Sequence, residues 1–127
     1  GEFRDLALTR RALDYVLTAA IAPSDLFEIP RKVSNDQERQ SIAWDWIRAN
    51  YEAIAQRVPR FALSFMPFFA GGCDSARLDE AKVFFAQANH NVPGTDRSLA
   101  QMAEGVTICS TIRKRERPAV KRYLDVQ

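Results

Sequence analysis

The sequence predicts an all-α fold in which antiparallel helix pairs stack as an armadillo- or HEAT-like α-solenoid fragment. Apolar residues recur at spacings of three and four along most of the chain, which is the helical period. No run of four to eight residues alternates convincingly between apolar and polar side chains, so no strand is predicted. Trp46 lies nearly opposite Trp44 on one predicted helix. Two apolar sides on one helix favour stacked layers over a simple four-helix bundle.

The first predicted helix covers about residues 3–21 and ends before Pro23. Its apolar stripe consists of Leu6, Leu13, Leu17 and Ala20. Ser24 is predicted to cap a short segment that contains Leu26, Phe27 and Ile29. Pro30 is expected to break or kink that segment, because proline removes a backbone donor inside a helix.

The next predicted helix covers about residues 36–58 and stops at Pro59. Two overlapping capping boxes mark its start, Ser34 with Gln37 or Asn35 with Glu38. Its apolar stripe consists of Trp44, Ile47, Tyr51, Ile54 and Val58. The off-stripe position of Trp46 predicts a second buried face and therefore neighbours on both sides.

Three phenylalanines at helical spacing mark a short helix in the middle of the chain, Phe61, Phe65 and Phe69. Pro67 should distort this helix, and Gly71-Gly72 should end it. Ser75 is expected to cap the following helix. The apolar side of that helix is formed by Ala81, Phe84, Phe85 and Ala88.

Thr95 is predicted to open a further helix that ends in the basic run 113–115. Its apolar residues are Leu99, Met102, Val106, Cys109 and Ile112. Pro118 suits the first turn of a separate last helix. Residues 113–122 contain six basic residues and one acid, and a solvated helix end is favoured here over a surface for nucleic acid or an acidic partner.

Length and composition exclude several functions. The 127 residues fit one domain, and no stretch approaches the roughly 20 apolar residues that span a bilayer. A net charge of +2 argues against a dedicated nucleic-acid binder. One His and two Cys cannot build a four-ligand zinc site. No motif assigns a catalytic residue, a metal ligand or a cofactor to this chain.

Cys73 and Cys109 are 36 residues apart and form no C-x-x-C pair. They could form one bridge, but two buried free thiols in a reducing compartment are favoured. Free thiols are typical of a reducing, intracellular compartment, and nothing else in the sequence indicates where the protein is located. His90 lies between two asparagines and is expected to be a solvated loop residue. The run from Gly71 to Ser75 is interpreted as a helix stop followed by a helix start rather than an anion site.

The chain does not begin with Met, and Gly1-Glu2-Phe3 resembles residues added by cloning. No function is assigned to these three residues. The remaining residues, 4–127, are expected to form a single helical domain of a longer protein.

Three blocks carry a family resemblance, in the order 35–51, 78–85 and 97–106 with 117–124. They are N-D-Q-E-R-Q-S-I-A-W-D-W-I-R-A-N-Y, L-D-E-A-K-V-F-F, and R-S-L-A-Q-M-A-E-G-V followed by R-P-A-V-K-R-Y-L. Together they resemble the C-terminal helical domain of gluzincin zinc aminopeptidases of the aminopeptidase N and puromycin-sensitive type, the endoplasmic-reticulum-aminopeptidase-like C-terminal domain. The chain departs from the family pattern at Pro30 and Gly105.

The resemblance implies a superhelix of paired helices that packs over an upstream catalytic domain of the same polypeptide. That domain would hold the zinc and the His-Glu-x-x-His helix, neither of which this chain contains. The implied role is to wall off the active-site cavity and to limit entry to peptide substrates. The alternative is a free-standing helical-repeat module that binds a protein or peptide.

Within the matching block, Arg97, Gln101 and Glu104 are the candidate site residues. Intra-domain ion pairs or caps are favoured for Arg97 and Glu104, with a peptide-facing surface as the other interpretation. If the chain is the end of a longer superhelix, the first helix has lost a neighbour. An exposed apolar face on the helix of residues 3–21, and self-association through it, are then expected.

Overall fold

The fold is all-helical, as predicted. A computed structural model describes residues 2–18 and 20–126, with side chains described for 5–18, 20–118 and 122–124, and this part of the chain contains no strand. Its six α-helices are α1 (Glu2–Val16), α2 (Glu28–Asn35), α3 (Gln40–Ala55), α4 (Arg60–Leu63), α5 (Ser75–Ala86) and α6 (Thr95–Val126). Short 3-10 segments lie at Pro23–Asp25, Met66–Ala70 and Ala88–His90.

α3 and the 3-10 segment Met66–Ala70 lie at the centre of the packing. α1 and α2 pack on α3, and the 3-10 segment contacts α3, α5 and α6. α5 and α6 pack on each other. One continuous apolar core results, with Trp44, Ile47, Ile54, Met66 and Phe85 among its most deeply buried side chains. The solenoid arrangement stays a prediction.

α1 ends at Val16, several residues before the predicted end. Leu13 and Val16 are buried, whereas Leu8 and Tyr15 keep about half of their surface exposed, at 51% and 50%. The residues after Val16 form turns, and Arg57 donates hydrogen bonds to the carbonyl oxygens of Leu17 and Ile21 in this region. Leu13 of the predicted apolar stripe is buried and Leu6 and Leu17 are partly buried, whereas the exposed Leu8 and Tyr15 lie off that stripe. The exposed apolar face expected on the first helix is therefore not formed by the predicted stripe, and self-association through this helix stays a prediction.

The start signals predicted around α2 and α3 are wrong. α2 runs through Asn35, so Ser34 and Asn35 close one helix instead of opening the next. α3 begins at Gln40 with no side-chain cap on its first turn. Asp36 bonds locally instead, since its Oδ1 accepts from the backbone N–H of Glu38 and its carboxylate pairs with Arg39.

Pro30 and Ser24 also differ from expectation. Pro30 is buried in the first turn of α2, where a missing backbone donor costs nothing because first-turn N–H groups have no intrahelical acceptor. It therefore neither breaks nor kinks the helix. Ser24 lies inside the 3-10 segment Pro23–Asp25, whose N-cap is Ala22 and has no side-chain bond.

The second apolar face of α3 is confirmed. Trp44 and Trp46 are both buried, at 1% and 8% exposed, although they point to nearly opposite sides of the helix. The Trp44 indole Nε1 donates to Glu80 Oε2 at 3.1 Å, and its ring packs on Phe84 and Phe85 of α5. α3 thus contacts neighbours on two sides, as the pattern required.

In the middle of the chain, the helix is interrupted at the proline and ends before the glycine pair, as predicted. α4 is only four residues long, and the 3-10 segment that follows contains Pro67 and ends at Ala70, directly before Gly71. The cap of α5 is Asp74 rather than Ser75, because the Asp74 side chain accepts from the backbone N–H groups of Ala76 and Arg77. The helix stop and helix start predicted between Gly71 and Ser75 are confirmed.

α6 begins at Thr95, as predicted, where the buried Oγ1 accepts from the backbone N–H of Val92 at 3.0 Å. It then continues through Pro118 to Val126, so the separate last helix is wrong. Residues 111–118 are all exposed. Water can therefore satisfy the carbonyl that loses its helical donor at Pro118, and the helix tolerates the proline.

His90 is packed rather than solvated, which corrects the loop interpretation. Its ring stacks on Phe84 at 3.8 Å between centroids and 9° between planes. The Tyr51 ring meets it edge-on at 5.1 Å, and His90 Nδ1 lies 3.0 Å from the carbonyl oxygen of Phe84. His90 therefore closes the aromatic cluster between α3 and α5.

The Tyr51 hydroxyl in this cluster is buried without a hydrogen-bond partner among the described atoms. Burial raises the pKa of the Tyr51 phenol above its usual value of 10.0, and the Arg60 charge lowers it by a smaller amount. A phenol with a raised pKa in the folded state holds its proton more tightly there than in the unfolded chain. The free energy of unfolding should therefore fall as the pH rises past about 10.

Tyr51→Phe is expected to leave the free energy of unfolding at neutral pH unchanged or to raise it by about 1 kcal/mol, because it removes an unsatisfied buried group. It should also reduce the alkaline loss of stability. Urea unfolding at about pH 7 and pH 10.5 measures both effects. Tyr15→Phe, at a half-exposed side chain, is the matched control. An alkaline loss as large in Tyr51→Phe as in the control contradicts the assignment.

Candidate functional site

A hollow of about 460 Å³ lies between α2 and the segment of residues 61–69. We call it the aromatic hollow. It is lined by Phe27, Arg31, Ser34, Asn35, Phe61, Ala62, Phe65, Met66, Phe68 and Phe69. Ligand pockets in proteins commonly have this size and this apolar lining.

The floor of the hollow is made of buried, packed side chains. Met66 is fully buried in the core, and Phe69 packs on Phe27 with 6.1 Å between ring centroids. Pro67, also buried, fixes the turn of the backbone beneath it. A preformed floor of this kind loses little conformational entropy when an apolar group binds.

The rim is apolar and exposed on one side. Phe61, Phe65 and Phe68 leave 69%, 56% and 43% of their surface accessible to solvent. They stay outside the core because α4 is short and the chain changes to a 3-10 turn after it, which rotates these positions away from the stripe that a regular helix would make. Exposed aromatic clusters of this kind mark surfaces that bind other molecules.

The opposite rim is polar and belongs to α2. Arg31 contributes a guanidinium group, and Ser34 and Asn35 contribute a hydroxyl and an amide. These groups can donate hydrogen bonds to a carboxylate or a carbonyl. The hollow can therefore bind an apolar side chain together with a nearby polar backbone, but its lining offers no acid–base pair and no base that would activate the Ser34 hydroxyl.

The predicted site residues lie elsewhere. Arg97, Gln101 and Glu104 are all exposed on α6, and their spacing of four and three places them on one side of that helix. None of them lines the aromatic hollow. Among the described side chains, neither Arg97 nor Glu104 has an ion-pair partner within 4.0 Å. Their role, structural or peptide-facing, stays a prediction.

The two cysteines are paired. Cys73 and Cys109 form a disulfide with 4.9 Å between Cα atoms, which corrects the expectation of two free thiols. The spacing of 36 residues gave no sign of this, because the pairing depends on how α6 packs beside the start of α5. Disulfides persist mainly in oxidising compartments, so the argument for an intracellular protein loses its basis.

The described residues do not fit a zinc site. They contain no group of three or more His, Cys, Asp and Glu side chains arranged to hold a metal ion. The chain has a single His, and both of its Cys are in the disulfide. None of the helices in the described part of the chain is long and apolar enough to cross a membrane.

The described residues thus form an all-α domain with an exposed aromatic hollow and a disulfide between Cys73 and Cys109. The chain belongs to the family of ERAP1-like C-terminal domains, whose profile matches residues 1–108. The family indicates that the chain is part of an aminopeptidase. Searches of curated proteins and of solved structures found no significant match.

Proposed function

We propose that this chain is the non-catalytic C-terminal domain of a zinc aminopeptidase, where it covers the active-site cavity and helps to size and admit peptide substrates. The family match over residues 1–108 is the observation that carries the proposal. Its partner would be the upstream catalytic domain of the same polypeptide. The zinc would belong to that domain, where it activates the water that hydrolyses the peptide bond.

The aromatic hollow supports this role. A domain that admits peptides needs a surface that holds them without reacting with them, and the hollow combines apolar side chains with the polar rim of α2. Its packed floor suits a wall that moves as a unit. The stacked helix pairs of an armadillo- or HEAT-like solenoid would provide the same stiffness over a larger surface.

The double substitution Phe61→Ser with Phe65→Ser in the whole aminopeptidase tests the proposal. KM for peptides of about ten residues should rise about tenfold, the equivalent of about 1.4 kcal/mol of lost apolar contact. Turnover of a small aminoacyl-anilide should not change, because that substrate does not reach the hollow. Both phenylalanines are exposed, so folding should be little affected.

Val83→Ser is the matched control, since Val83 is 69% exposed on α5 and does not line the aromatic hollow. It should leave both KM values unchanged. Equal effects of the double substitution on the peptide and on the anilide would contradict a role in admitting peptides. A rise in KM for the peptide with Val83→Ser as well would show that the effect is not specific to the hollow.

The second candidate is a free-standing helical module that binds a protein or peptide, and the exposed phenylalanines of the aromatic hollow favour it equally. The reading frame that encodes the chain separates the two. An upstream His-Glu-x-x-His motif supports the aminopeptidase, and a start codon near residue 1 supports the module. The isolated chain is expected to hydrolyse no aminoacyl-anilide, and turnover by a pure sample that survives a chelator contradicts the proposed function.

A further inference from the structure

We propose that the Cys73–Cys109 disulfide is a thiol-exchange site, and that a dithiol reductant opens it and releases the distal half of α6, residues 110–126, from the body of the domain. This inference goes beyond the proposed function and does not depend on it. It rests on where the bridge attaches, what else holds each of its two ends, and how a reductant reaches it.

The bridge lies near the end of the contact between α6 and the body. Val106 is 1% exposed and is the last fully buried core residue along α6 among the described side chains. Cys109 and Ser110 are partly buried, and residues 111–118 and 122–124 are all exposed. Beyond Ser110 the described side chains of α6 are exposed, although Arg113 lines the same hollow as the bridge. This part of the helix therefore depends mainly on its own backbone hydrogen bonds, which fray readily from a free end.

The other end of the bridge is held independently. Arg77 Nη1 donates to the carbonyl oxygen of Gly71 at 2.9 Å, and the Asp74 side chain caps α5 through the Ala76 N–H at 3.0 Å. Cys73 lies between these two anchored positions. When the bridge opens, the loop keeps its place, so the change falls on α6.

A reductant can reach the bridge. Both cysteines are partly exposed and line a hollow of about 380 Å³, together with Arg77, Arg113 and Asp74. Two guanidinium groups against one carboxylate leave an excess of positive charge there. Positive charge attracts an attacking thiolate and stabilises the thiolate that leaves.

The reaction is a two-step thiol–disulfide exchange. A thiolate of the dithiol attacks one sulfur of the bridge, which forms a mixed disulfide and expels the other cysteine as a thiolate that takes a proton from water. The second thiol of the reductant then attacks the mixed disulfide and expels the remaining cysteine. The bridge gains two electrons and two protons, and the dithiol becomes a cyclic disulfide.

Hydrogen exchange of the whole chain, with and without dithiothreitol as the dithiol, tests the inference. A thiol reagent should find no free cysteine in the air-oxidised protein and two after reduction. Amide exchange over residues 110–118 should then become at least about tenfold faster. Exchange in the buried part of α3, residues 43–54, should stay the same, because the core does not include the bridge.

The double variant Cys73→Ser with Cys109→Ser is the matched control. It should exchange like the reduced protein over residues 110–118 and should not respond to dithiothreitol. Two titratable thiols in the air-oxidised protein would overturn the inference. Unchanged amide exchange over residues 110–118 after full reduction would also overturn it, because the helix end would then not be released. Equal acceleration in α3 would overturn it too, because that would show a general loss of stability.

Discussion

Phe85→Ala is expected to lower the free energy of unfolding by about 3–5 kcal/mol, the largest loss among the substitutions considered. Phe85 is fully buried in α5, and its ring contacts the rings of Trp44, Tyr51 and Phe84. Alanine would leave a cavity between α3 and α5 that these large, interlocked rings cannot fill. Urea unfolding followed by tryptophan fluorescence measures the loss.

Val83→Ala is the matched control for Phe85→Ala. Val83 lies on the same helix two residues away, with 69% of its surface exposed. Its truncation should change the free energy of unfolding by no more than about 0.5 kcal/mol. If Phe85→Ala cost as little as the control, α5 would not be packed on α3 as described, and the continuous core would be in error.

The sequence predicts best where a helix packs along its whole length. Trp44, Ile47, Tyr51 and Ile54 are all buried on α3, because a stripe at spacings of three and four turns toward the core in any helical packing. The same holds for Met102 and Val106 on α6. Periodicity is a local property of the chain, and the core positions of long helices follow from it directly.

Helix ends were harder to predict, because several polar residues compete to form each cap. Ser34 and Asn35 matched a capping box, but α2 continues through them since Pro30 fits its first turn. Asp74 rather than Ser75 caps α5. The energies that separate such alternatives are about 1 kcal/mol, so tertiary packing decides among them.

The aromatic hollow could not be predicted from the spacing of apolar residues alone. Phe61, Phe65 and Phe69 were predicted as one apolar stripe, and only Phe69 is turned mainly toward the core. Their exposure follows from the break between α4 and the 3-10 segment at Met66. The proline at position 67 was a signal that this stripe would be interrupted, but which side chains then face solvent depends on the contacts with α2.

Arg57→Met is expected to lower the free energy of unfolding by about 2 kcal/mol, because two charge-assisted hydrogen bonds are lost while most of the aliphatic stem remains. Arg57 Nη1 donates to the carbonyl oxygen of Leu17 at 2.6 Å, and Nη2 donates to that of Ile21 at 2.8 Å. One guanidinium thus fixes the connection after α1 to the end of α3. Amide exchange at Ile21 should also become faster.

Two controls separate the geometry of this contact from its charge. Arg57→Lys keeps the charge but places it on a single ammonium, which lacks the rigid fork that spans both carbonyls, so about half of the loss is expected. Arg11→Met removes an exposed arginine from α1 and should cost no more than about 0.5 kcal/mol. A loss in Arg57→Met no greater than in Arg11→Met would show that the contact does not hold α1. A loss in Arg57→Lys close to zero would assign the effect to charge alone, since the lysine variant retains only that.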